Sequence, residues 1–442
     1  MSIPTDRRSV PGPPAPVPEP AGFGTRWWQG LRGVTMPSDR RTFVSLALQS
    51  IVNAFVYSTY LARLPDIRDQ TGISISTLGV VMTVGNLAGF AGSIVAPSAV
   101  RRLGSKWTMI CGGTLYVFAL PVIGSSRSAA VLVTAVIGMM LMNVLVDVGV
   151  AMQSTQFSAQ RGRTVMGRMS GLYSLGTVGG GLAASSIAAA GFDVSVHLVV
   201  LAAVLAGALI FVGPGLLPVD DQPRRPGNAE RPVSRWRPNR FVLVLGLASA
   251  LAVPLDIVPG EWATFRMHDD LGTGTGAAAA AYFAFAAGMA AGRLGADWAA
   301  VHIGRTTVAR LGPVVSASGL VVAATVPSRG TAFAGFLVAG LGIAAISPLL
   351  TEAAGRVPDG AGFRALFIGN RLAGLLTPVM VGSLAGTAGL SVGAAMVTVV
   401  LPVAAVLVVL AVLAVRPAAA DRPATSDLHP DRITSPTARR DG

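Results

Sequence analysis

Twelve apolar runs of 17 to 26 residues, separated by short polar turns, decide what this chain can become. They are Thr42–Leu61, Leu78–Ser98, Trp107–Ile123, Ala129–Met152, Met169–Ala190, Val194–Leu217, Phe241–Pro259, Gly276–Ala296, Val308–Val326, Ala332–Leu350, Ala365–Ala388 and Leu390–Val415. A helix needs roughly 20 apolar residues to cross the hydrocarbon layer, and each run brackets that length. With 52% hydrophobic and only 12% charged residues, the chain lacks the polar surface a soluble protein of its size requires. The net charge of +13 would suit nucleic acid if the basic residues gathered on one face. They fall instead in the loops between apolar runs, so no nucleic-acid partner is expected and the lipid bilayer is.

Those loops also set the orientation. With the N-terminus in the cytoplasm, the inside segments hold 28 Arg and Lys residues and the outside segments five, with Arg371 inside a span. The excess predicts that both termini are cytoplasmic in a multi-pass protein of the cell membrane. Met1–Pro20 is Pro-rich and has no apolar core of the kind a signal peptide carries. The single cysteine, Cys111, excludes an internal disulfide. The expected organisation is a disordered cytoplasmic tail (1–39), a six-helix bundle (40–217), a basic cytoplasmic linker (218–239), a second six-helix bundle (240–416) and a disordered cytoplasmic tail (417–442). The bundles read as repeats. At an offset of 200, Asp69, Gly72, Gly92 and Gly104 meet Asp269, Gly272, Gly292 and Gly304.

Ionisable residues inside the spans are the functional candidates, because charge in hydrocarbon is costly unless it faces a bundle interior or water. Eleven Phe, Val, Leu or Ile residues lie between Phe241 and Val258. They contribute roughly −3 to −6 kcal/mol to insertion, against a cost of about +2.5 to +3.5 for one central Asp. The seventh span therefore inserts with Asp256 in it. Pro254 and Pro259 bracket that acid and predict a bent or broken helix around it. Asp147 is a second deep acid, whose carboxylate is suited to proton coupling. Arg371 keeps its charge and needs a carboxylate, carbonyls, water or an anionic solute, unless it snorkels to the inner surface beside Arg364. Asn53, Tyr57, Tyr60, Asn86, Asn143, Gln153 and Tyr173 supply polar contacts, either to a solute or between helices. Arg293 and Asp297, four apart, are expected to pair at the cytoplasmic end of span eight. His197, His268, His302 and His429 are scattered, with no metal-binding or phosphate-cradling spacing. No cofactor and no enzymatic activity are expected.

The chain resembles the major facilitator superfamily over about residues 40–416, most nearly its fucose-permease-like and inner-membrane branch. The likeness rests on Arg63-Leu64-Pro65-Asp66-Ile67 after span one, Asp147-Val148 in span four and Tyr173-Ser174-Leu175-Gly176 in span five. It rests also on Asp256 six residues before Trp262, and on Gly292-Arg293-Leu294 with Asp297. The intracellular loop motif keeps its basic part at Arg102, Gly104 and Lys106, echoed by Gly304, while Arg101 and Val301 stand where the family has an acid. The resemblance implies an all-α membrane protein with twelve transmembrane helices in two pseudo-symmetric bundles, the major facilitator fold. It further implies secondary transport of a small-molecule substrate by alternating access, with protons as the coupling ion through Asp147 and Asp256. The substrate site would draw on Asn53, Tyr57, Asn143, Asp147, Tyr173, Asp256, Trp262 and Arg371. Arg371 stands where the branch often has Tyr, which favours an anionic or amphipathic solute over a sugar. An exporter of drugs or metabolites, a membrane-embedded enzyme and a non-transporting sensor or scaffold are the competing readings.

Overall fold

Each apolar run folds as a helix, since in lipid the backbone must satisfy its own hydrogen bonds. The computed structural model describes residues 38–161, 165–218, 239–357 and 360–415. Nearly all of the expected tails and linker, and the side chain of Asp297, lie outside them; Ser38 and Asp39, expected in the tail, cap and begin the first helix. The helices are α1 (Asp39–Ala62), α2 (Leu64–Thr71), α3 (Ile75–Gly124), α4 (Ala129–Arg161), α5 (Met166–Ala189), α6 (Val194–Val212), α7 (Arg240–Phe265), α8 (Thr275–His302), α9 (Arg305–Thr325), α10 (Arg329–Ile343), α11 (Ile346–Gly355), α12 (Ala361–Gly386) and α13 (Val392–Val415).

Ten helical segments are long and apolar enough by themselves to cross a membrane. One of them, α3, is 50 residues long and counts twice, because Gly104 breaks it with φ 80° and ψ 157°. Only glycine takes that conformation without strain, and it turns the chain back between spans two and three. Gly304 repeats the device with φ 84° and ψ 143° before α9. The 24-residue α5, packed between α1 and α8, makes twelve.

Two pseudo-symmetric bundles result, α1–α6 and α7–α13. The internal contacts repeat: a Cβ on Gly92 would meet the Leu141 carbonyl oxygen at 3.1 Å, and one on Gly292 the Leu341 carbonyl oxygen at 2.6 Å. Between the bundles, α3 packs on α12 and α5 on α8. These contacts lie toward one end. A Cβ on Gly79 would stand 2.7 Å from the Pro378 carbonyl oxygen, and one on Gly276 2.5 Å from the Ala189 Cα. Absent side chains let the backbones approach.

The expected break in span seven is corrected, and a break appears in span ten, where none is expected. Helix α7 runs unbroken through Pro254 and Pro259 to Phe265. Each proline removes one backbone donor, but α12 and α13 pack along α7 and hold it. The interruption falls in span ten, between α10 and α11, where the ring and missing N–H of Pro348 leave the Ala344 carbonyl without its helical partner.

Candidate functional site

Eight crossings turn polar side chains toward a set of adjoining cavities between the bundles. The first lobe, about 190 Å³, is lined by Tyr57, Tyr173, Asp256, Glu261, Tyr282 and Arg293 among others. A second, about 110 Å³, shares Asp256 and Arg293 with it and reaches Ser249, Asn370 and the α10–α11 break at Ala344 and Ile346. A third, about 350 Å³, shares Tyr57 and Glu261 and is closed by Asn86, Asn370 and Arg371. A fourth, about 130 Å³, lies beyond Tyr173 and is lined by Asn53 and Asp147.

Asp147 and Asp256 are both exposed although each lies deep within its helix. They border these cavities, as the insertion argument requires. Asn53 Nδ2 donates to Asp147 Oδ1 at 2.6 Å, joining α1 to α4. Arg371 acts electrostatically on Asp147 from the opposite bundle, its guanidinium 5.1 Å from the Phe367 ring centroid. Arg371 thus faces inward to the cavity instead of snorkelling. Arg293 acts on Asp256 and donates to Ser174 Oγ at 3.2 Å across the α8–α5 contact. The side chain of Asp297, its expected partner in the cytoplasmic loop cluster, lies outside the described residues; Arg293 itself lines two lobes of the cavity.

Tyr57 and Tyr173 line the first lobe as expected. Trp262 does not. It is fully buried against Phe265, ring centroids 5.5 Å apart, because the step of one residue from Glu261 turns it about 100° around the helix, away from the cavity. Asn143 is half-buried and lines none of these lobes. Arg102 is exposed and Lys106 half-buried beside the Gly104 turn. Sequence reasoning missed Glu261, Tyr282 and Asn370. Glu261 is only 4% exposed and lines two lobes. No sequence signal marked Glu261, because Pro259 reads as the end of its span and only the structure carries the helix on to Phe265.

The bundles are clamped at the end of the cavity set by the loops before α3 and α8. Arg68 binds both carboxylate oxygens of Asp269 in the other bundle, one at 2.9 Å from NH2, and holds Asp69 Oδ1 at 2.7 Å. His268 bridges the two acids, 2.8 Å from Asp269 and 3.5 Å from Asp69. Beside the clamp, Arg63, 2% exposed, pairs with Asp66 at 2.8 Å and donates to the Phe192 carbonyl at 3.0 Å. Burial pushes the Asp66 carboxyl above its ordinary value, against the pull of Arg63. Near the Gly104 and Gly304 turns, no ion pair joins the two bundles among the described residues.

The model of the Major Facilitator Superfamily matches residues 46–378. The chain belongs to the major facilitator superfamily. Membrane transport is the activity shared across that family, and relatives of this member carry the name. The uncharacterized transporter y4wD of Sinorhizobium fredii is 26% identical over 80% of this chain and 95% of its own length. Membrane protein MosC of Rhizobium meliloti is 23% identical over 80% and 86%. Among solved structures, the nucleoside transporter NupG superposes with a TM-score of 0.67 at 14% identity, covering 84% of this chain and 98% of that one. A bacterial homologue of the human lysosomal transporter Spinster gives 0.65 at 15% identity, covering 86% and 96%. These likenesses establish the fold of the superfamily member.

Proposed function

We propose that this protein is a secondary active transporter that moves a small solute across the cytoplasmic membrane by alternating access, coupled to protons. One observation carries the reading: Asp147 and Asp256, deep in membrane-length helices, open onto water-sized space between two bundles that are clamped at one end only. The distribution of Arg and Lys assigns the clamped end to the outside and both termini to the cytoplasm, so this conformation faces inward. Rocking of the bundles about the cavity would open the clamp and shut the other end.

Asp147 is the coupling residue in this scheme. Its negative charge attracts Arg371 across the bundle interface. A proton on Asp147 cancels that attraction, so protonation changes the relative stability of the two access states by a differential interaction. Asp256, facing Arg293 within the second bundle, lines the solute site and is the second proton carrier. Asn53, Tyr57, Tyr173 and Arg371 complete the solute site.

The test begins with a thermal-shift screen of purified protein across sugars, organic anions and drug-like compounds. A solute found there is followed into or out of vesicles carrying an imposed pH gradient. Flux is expected to rise with the gradient and to lose that dependence in Asp147→Asn. Flux indifferent to the gradient in the wild type removes the coupling, and full gradient-driven flux in Asp147→Asn removes the role of that residue.

A further inference from the structure

The acids of the cavity are not matched alike. Arg371 acts electrostatically on Asp147, and Arg293 lines the same two lobes as Asp256 and acts on it, though neither couple is in ion-pair contact. Glu261 pairs with no cation among the described residues, is 4% exposed, and leaves Oε2 without a hydrogen-bond partner. Tyr57 lines the same two lobes as Glu261. Arg371 alone pointed to an anionic solute. With Asp147 opposite it, the charge left over in the cavity is negative, not positive.

The walls around that surplus charge are aromatic. Tyr57, Tyr173, Tyr282 and Phe285 line the same 190 Å³ lobe as Asp256 and Glu261. Ring faces attract a cation, most strongly where water is excluded. A buried carboxylate binds an N⁺–H donor through a short charge-assisted bond. A neutral hydroxyl gains much less from these walls, and a carboxylate is repelled by them. We propose that the lobe recognises an ammonium group, and that the solute is a small organic amine seated by its cationic nitrogen against Glu261 and Asp256. Its remaining atoms extend past Tyr57 into the adjoining lobe, toward Asn86 and Asn370.

This rests on the reading of the cavity as the solute path, and its test is made at equilibrium with no gradient. Purified full-length protein in detergent is titrated with phenethylamine, 2-phenylethanol and 3-phenylpropionate, and with cyclohexylamine and cyclohexanol, by calorimetry near neutral pH. In at least one set the amine is expected to bind at least about tenfold tighter than its alcohol, the factor a charge-assisted hydrogen bond supplies. In Glu261→Gln the preference should fall below about threefold. Should that variant not be recovered folded, Asp256→Asn is compared with the same expectation. An amine preference below tenfold in every set overturns the proposal, as does a preference that survives the substitution. Amine binding without gradient-driven flux would sink the coupled-transport reading and leave this one standing; flux of a solute without amine selectivity would do the reverse.

Discussion

In the orientation proposed above, removing the Arg68 guanidinium should release the outer end of the molecule. Three groups of contacts meet on it, and only some hold the bundles together. The bonds to Asp69 lie within the first bundle. The two-pronged contact with Asp269 and the stacking over Phe265, 5.2 Å from the guanidinium carbon to the ring centroid, reach the second. The Arg68 side chain is 14% exposed and that of Asp269 23%, so water screens the pair only partly. A charge-assisted bond contributes about 1.5–3 kcal/mol. A partly exposed cation–π contact adds about 0.5–1 kcal/mol. Arg68→Ala should thus shift the balance of closed and open outer ends by about 2 to 4 kcal/mol, or roughly 30- to 1,000-fold. Asp69 and Asp269 would then share only His268, and their repulsion adds to the shift.

Spin labels at Arg127 and Arg329, exposed residues near the same end in the two bundles, read that change by pulsed electron resonance. Cys111→Ser removes the one native cysteine first. The wild type should give one short distance and Arg68→Ala a second, longer one. Arg68→Lys keeps the charge without the fork and should fall between them. Identical distance distributions in wild type and Arg68→Ala would show that the clamp does not hold the outer end.

Three further outcomes follow from the packing. A side chain on Gly369 would run into the Gly246 carbonyl where α7 and α12 touch; Gly369→Val should cost about 1–3 kcal/mol, seen as a lower melting midpoint in detergent, and an unchanged midpoint would contradict the close approach. Arg63→Ala strips the partner from Asp66 and the donor from Phe192, and should cost about 3–5 kcal/mol by the same measurement; a loss below 1 kcal/mol, roughly that of a surface pair, would contradict its burial. Asp193 caps α6, and the Ser195 backbone N–H holds its carboxyl below the ordinary range. A lowered folded pKa means the stabilisation is present at neutral pH and is lost as pH falls from about 4 through the folded value. Asp193→Asn keeps the capping acceptor and should flatten that acid limb of the melting curve, whereas an unchanged limb would place the titration elsewhere.

The fold was legible because its signals are one-dimensional. Hydrocarbon length, glycines at loop positions and the placement of Arg need no knowledge of how helices rotate. Asp147 and Asp256 were legible for the same reason, as isolated acids in apolar runs. What failed were judgements about rotation and continuity. The sequence pairs Arg293 with Asp297, whose side chain lies outside the described residues, and only the rotation of α8 brings Arg293 to the lobe it shares with Asp256. Glu261 follows Pro259, which read as the end of a span; only the packing of α12 and α13 carries the helix past it. Trp262, one residue on, is turned about 100° from it, into the packing against Phe265. A proline signals a possible break, and its neighbours decide whether the break occurs: Pro348 interrupts span ten, while Pro254 and Pro259 leave α7 whole.

In the proposed transport cycle the internal repeat separates what moves from what binds. Gly72 and Gly272, Gly104 and Gly304, and the Leu141 and Leu341 contacts match across the bundles. Even the clamp is built from the matched acids Asp69 and Asp269. The charged groups of the cavity break the pattern. For any offset from 199 to 203, the counterparts of Asp147, Asp256, Glu261 and Arg293 are uncharged residues, such as Ser347, Val56, Leu61 and Ser93. Two bodies that rock against each other need equivalent turns and contact points. A site that fixes one orientation of a polar solute needs walls of unequal charge. Selection for the first would preserve the repeat in the scaffold, and selection for the second would erase it at the centre. Substitutions at repeat-matched positions should therefore alter the balance between inward and outward states, while substitutions at the four unmatched charges alter which solute binds.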